Sequence, residues 1–99
     1  MDEPGGVMIA VITFRLRAEW ARSLKDKRMI VNSLLARMRE KFRVSAAETG
    51  SQDAHQIIVI TAAAVVPNRA VADSVMDSLS RFTEDNTDAE ILEEIREIR

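Results

Sequence analysis

The feature that most constrains this chain is residues 56–66, QIIVITAAAVV, eleven residues without a charge. The run is too short to cross a bilayer as a helix, which takes roughly 18–20 apolar residues. Its Ile, Val and Thr content, and Pro67 directly after it, predict a strand buried in the middle of a sheet. Residues 7–17 (VMIAVITFRLR) predict a second strand. It is apolar in its first half and then alternates, with Phe14 and Leu16 on one face and Thr13, Arg15 and Arg17 on the other.

Two such strands need cover, and two amphipathic segments can supply it. After a loop at residues 18–22 that holds the only tryptophan, Trp20, Ser23 fits an N-cap and Asp26 an acidic first-turn partner resembling a capping box. The helix behind them places Leu24, Val31, Leu35, Met38 and Phe42 on one stripe. Arg28 lies on the same stripe near its start, where its long stem can rest on apolar surface while the head reaches a carboxylate. Residues 43–49 predict a short strand and residues 50–55 (GSQDAH) a turn. Beyond Pro67, Asn68 can cap a second helix marked by Val71, Val75, Leu79 and Phe82, followed by a loop at residues 84–88.

The last segment, residues 89–99 (AEILEEIREIR), fits two patterns. Ile91, Leu92, Ile95 and Ile98 match a helical stripe, and intrinsic propensity favours helix. Ile91, Glu93, Ile95 and Glu97 also alternate as an edge strand does. The strand completes the order strand–helix–strand–strand–helix–strand. That order makes an α+β, ferredoxin-like βαββαβ sandwich, a four-stranded antiparallel sheet with both helices on one face. We therefore expect one domain over residues 7–99, behind a disordered start at residues 1–6.

Composition removes several chemistries. With no cysteine there is no disulfide scaffold, thiolate zinc site or thiol nucleophile. No apolar stretch is long enough for a membrane span, and the first apolar run follows acidic residues, so a secretory signal is not expected and a cytoplasmic location is the default. The net charge of −2 conceals a strong polarity. From Arg15 to Arg43 ten basic residues outweigh three acids, a net of +7, while from Asp73 to Arg99 nine acids outweigh three arginines, a net of −6. Such an imbalance fits a face that attracts a polyanion, or two halves that neutralise each other.

Enzymatic patterns are sparse. No glycine-rich phosphate loop is present, and no cofactor or metal is expected, because His55 is the single histidine. Glu48, Asp53 and His55 could gather around one hairpin as a metal or acid–base cluster; the simpler reading is a solvated turn. Nucleic-acid binding has more support. Arg22, Lys25, Lys27 and Arg28 crowd the start of the first helix, where the dipole also favours phosphate. Lys25, Asn32 and Arg39 share one exposed helical face, and Arg15 and Arg17 border the open side of the sheet. Ser23, Leu24 and Asp26 are read as building the helix start. Since Phe14 points to the helices and Phe42 and Phe82 lie in helix stripes, base stacking on the sheet is not expected. Trp20 is read as closing a core edge. Recognition of phosphate and shape remains.

The run Ala21–Arg28 (ARSLKDKR) resembles the signature of the YlxP-like family, small bacterial proteins grouped as a domain of unknown function. Phe42–Glu48 (FRVSAAE) resembles that family's F-N-V-S-x-A-E segment, and Gln52-Asp53 its polar turn. Arg43 stands in place of the asparagine, and His55 stands where tryptophan is expected. The resemblance implies a ferredoxin-like fold, no catalytic activity, and a role as a ribosome-binding factor in maturation of the small ribosomal subunit. The expected function is thus a non-enzymatic factor binding ribosomal RNA. The alternative is a protein–protein module or homodimer that covers Ile9, Val11 and their neighbours on the open sheet face.

Overall fold

The two apolar runs become the central strands. In the computed structural model, which describes residues 6–99, β1 (Met8–Arg17) pairs antiparallel with β3 (Ile57–Val66) over its whole length, from Met8 opposite Val66 to Arg17 opposite Ile57. The short β2 (Ser45–Gly50) takes the outer edge of β3 and β4 (Glu90–Ile98) the outer edge of β1, giving the order β2-β3-β1-β4. Helix α1 (Leu24–Lys41) follows β1, and α2 (Arg69–Asn86) follows β3. This is the ferredoxin-like βαββαβ arrangement. The expected disordered start lies outside the described residues but for Gly6.

Strand alternation decides which face the helices cover. Ala10, Ile12, Phe14 and Leu16 of β1, with Ile58, Ile60, Ala62, Ala64 and Val66 of β3, are buried under both helices. α1 contributes Val31, Leu34, Leu35 and Met38 to the same core. Each large side chain buried there is worth about 1.5–3 kcal/mol of transfer free energy. α2 buries Ala72, Met76, Leu79 and Phe82, so its stripe is turned one residue from the expected Val71 and Val75. Val71 is exposed, and the small Ala72 takes the covered position.

α2 also runs further than expected, through Glu84 and Asp85 to Asn86. Side chains hold its last turns to the backbone: Thr83 Oγ1 donates to Leu79 O at 2.8 Å and Asn86 Nδ2 to Phe82 O at 2.9 Å. The ambiguous tail is a strand. Ile91 lies opposite Leu16 and Ile98 opposite Ala10, both packed against the core, with a bulge at Arg15/Leu16. Arg96 ties β4 to α2 through Asp77 at 2.6 Å, and also pairs with Glu94 at 2.8 Å. These two carboxylates, Asp77 foremost, raise the Arg96 pKa further above its ordinary value. Among the described residues no helix is long and apolar enough to cross a membrane.

Candidate nucleic-acid interface

The basic run at the start of α1 divides by direction. Ser23 adopts extended backbone and its Oγ accepts the Asp26 N–H at 3.1 Å. Asp26 Oδ2 in turn accepts the Arg22 N–H at 3.0 Å, one residue earlier than in a standard capping box. Ser23 and Asp26 therefore set the helix start, as expected, and Ala21 is buried beneath it.

Lys27 departs from expectation. It is 2 % exposed, facing the core side of α1 four residues before Val31. Its Nζ donates to Ser51 O at 2.5 Å and Ala54 O at 2.7 Å, and lies 3.0 Å from Glu48 Oε2. Glu48 Oε2 is itself buried without a directed hydrogen bond, so its compensation is the charge of Lys27. Ser51 sits at φ 52°, a left-handed conformation costly for a residue with a Cβ, and the Lys27 bond holds that turn. Lys27 thus anchors the β2–β3 hairpin to α1 and cannot also reach a bound polyanion.

Arg22, Lys25 and Arg28 are exposed and, among the described residues, make no ion pair. At spacings of three they form a short outward row beside the positive end of the α1 dipole. Arg39 continues the row near the other end of the helix, where its Nη2 donates to the Ala46 carbonyl oxygen of the edge strand β2. Part of its donor capacity is therefore used on the protein itself.

Arg15 and Arg17 lie on the other layer, the open sheet face, away from the α1 row. They face acids across β4: Arg15 lies opposite Glu93, and Arg17 Nη2 is 3.6 Å from Glu90 Oε2. The rest of that face carries a threonine ladder across β1, β3 and β2, with Thr13 and Thr49 each bonded to Thr61, at 2.9 and 2.8 Å. Beside it Val65, Ile95 and Ile9 are exposed, at 78, 47 and 37 %. Val11, expected to be open, is 9 % exposed among its neighbours.

The trio of Glu48, Asp53 and His55 does not assemble. Glu48 is held by Lys27, Asp53 and His55 are exposed, and no group of three potential ligands converges among the described residues. Trp20 does not close the core. The residue is 48 % exposed and, with Met29, Ile30 and Arg37 of α1, lines a groove of about 370 Å³ against Asn86, Thr87 and Asp88. Met29, 66 % exposed, was the available sign of this groove, as an apolar residue off the buried stripe.

Fold and site together define a small α+β sandwich that presents a basic helix to solvent. The chain belongs to the family described as "Protein of unknown function (DUF503)", whose model matches residues 9–96. No curated protein matches it.

Proposed function

We propose that this chain is a ribosome-associated factor of the YlxP-like kind, without catalytic activity. It docks on the ribosomal RNA of the small subunit through α1 and assists subunit maturation. The resemblance of Ala21–Arg28 and Phe42–Glu48 supplies the target. The observation that carries the reading is the outward row of Arg22, Lys25 and Arg28, exposed and without an ion pair among the described residues. Unmatched cations fixed at the start of a rigid helix are what releases counterions from a phosphate backbone. Lys27 leaves the set of contacts, and Arg15 and Arg17 are secondary because acids face them.

The triple variant R22Q/K25Q/R28Q tests this. It keeps the circular dichroism spectrum of the parent chain. In sedimentation with isolated small subunits over a salt series, association weakens and its log–log salt slope falls by about 2–3. Unchanged association overturns the assignment.

A second reading rests on the open sheet face, where Val65, Ile95 and Ile9 remain uncovered. Such a patch suits a protein partner or a second copy of the chain. Light scattering on the pure protein reads it directly: a stable dimer supports this role, and a monomer at all concentrations removes the self-pairing form.

A further inference from the structure

The groove beside Trp20 is not used by the basic row, and its exposed apolar lining is unusual for a helix flank. Its volume of about 370 Å³ lies near the lower end of the ~300–1,000 Å³ usual for small-ligand pockets. A tryptophan left 48 % exposed, beside a methionine left 66 % exposed, offers an apolar platform with no side chain of its own to cover it. The opposite wall is polar. Asp88 is exposed and acceptor-only, and Asn86 uses its Nδ2 on Phe82 O, which leaves its side-chain oxygen as an acceptor. Arg37 is held along α1 by its bond to Ser33 Oγ at 2.8 Å and supplies positive charge within the groove.

A flat aromatic group with exocyclic amino protons and an anionic linkage matches all three properties. From this we infer that the groove receives an unpaired nucleobase of the bound RNA, stacked on Trp20, an inference that rests on the RNA-binding reading above. Charge complementarity within the groove selects this occupant: Arg37 supplies the positive charge for an anionic linkage, Asp88 and the Asn86 side-chain oxygen supply acceptors for amino protons, and α1, whose flank forms one wall, is the basic element of the fold. Lys25, Arg28, Asn32 and Arg39 lie on the opposite flank. A strand leaving the groove toward them crosses the outer face of a helix about 10–12 Å in diameter, a span of a few nucleotides. The acceptors on the wall favour adenine, cytosine or guanine, which carry amino groups, over uracil.

Trp20 is the only tryptophan, so its emission reports on the groove alone. The full chain is titrated at low salt with a short oligoadenylate and with a fully paired RNA duplex. The single strand quenches Trp20, and the duplex binds with little quenching. Trp20→Leu lowers affinity for the single strand by roughly 5–150-fold, the equivalent of ~1–3 kcal/mol per stacked base, with the salt slope unchanged. Trp20→Phe restores most of it. If the oligoadenylate binds with the parent salt slope yet neither quenches Trp20 nor responds to Trp20→Leu, the stacking inference falls and the RNA reading stands. If neither RNA binds at low salt, the RNA reading itself falls. Equal quenching by the duplex overturns the inference, as does an emission change that tracks protein concentration without RNA, which assigns the groove to a second copy.

Discussion

Two regions of the molecule are both basic in sequence and unequal in what faces them in space. At the start of α1, Lys25 and Arg28 project from the first turns and Arg22 from the residue before the N-cap, and none of the three side chains forms an ion pair among the described residues. On β1, Arg15 and Arg17 project from a rigid strand, but β4 lays Glu93 and Glu90 across from them. Local charge counts cannot separate these cases, because the matching acids come from the far end of the chain. Antiparallel pairing of β1 with β4 brings part of the acidic end onto the sheet and leaves α1 unmatched. The electropositive face is therefore one helix flank.

A third fate appears inside the same helix. Lys25 and Lys27 are two residues apart, about 200° around a helix of 3.6 residues per turn. Lys25 faces solvent, and Lys27 is buried against three oxygens of the β2–β3 hairpin region. The largest expected effect breaks this contrast. Lys27→Met leaves Ser51 O and Ala54 O without their donor and Glu48 without its opposing charge. It lowers unfolding free energy by about 2–4 kcal/mol, somewhat under the cost of splitting a fully buried pair because Glu48 keeps some water. Lys25→Met leaves stability within about 0.5 kcal/mol. Urea titration of both variants reads the difference, and equal midpoints would dissolve the distinction.

Periodicity made most of this fold legible. The buried strands, both helix caps at Ser23 and Asn68, and the inward Phe14 and Leu16 follow from local pattern, and the structure has them. The tail was decided by topology, because β1 needs a partner on its free edge and no local signal in residues 89–99 expresses that need. Lys27 escapes the local reading because its side chain argues for solvent. Its position argues otherwise, since 27, 31, 34 and 38 are a regular helical stripe whose last three residues, Val31, Leu34 and Met38, are apolar. The end of α2 reads as a loop because Glu84, Asp85 and Asn86 are polar residues that suit one, and the bonds from Thr83 to Leu79 and from Asn86 to Phe82 tie the last turns to the helix. Trp20 carries no periodicity in a loop, so its exposure depends on how α1 and the α2–β4 turn approach each other.

A smaller effect tests the comparison from its acidic side. In E90Q/E93Q the strand arginines lose the charges across from them, and the open sheet face becomes a second basic surface. Affinity for RNA then rises a few-fold at low salt, and the salt slope steepens by roughly 1–2 as Arg15 and Arg17 become free to contact phosphate. The gain is shared by unrelated RNA sequences, since phosphate contacts carry no sequence information. A variant that binds no better would mean that β4 does not mask these arginines.

The smallest effect is expected from the arginines themselves. With Glu90 and Glu93 in place, R15Q/R17Q removes two cations that are already opposed, so the salt slope of binding changes by less than about one. Stability changes little, because an ion pair whose side chains are 42 and 62 % exposed gains little from its contact. The outcome discriminates through its ratio to the α1 variant. Two charges removed from β1 and three removed from α1 differ modestly in number. If the slope follows number alone, both regions face the phosphate backbone and the acids of β4 do not shield. If R22Q/K25Q/R28Q flattens the slope while R15Q/R17Q leaves it, the position of the opposing acids decides which basic residues act.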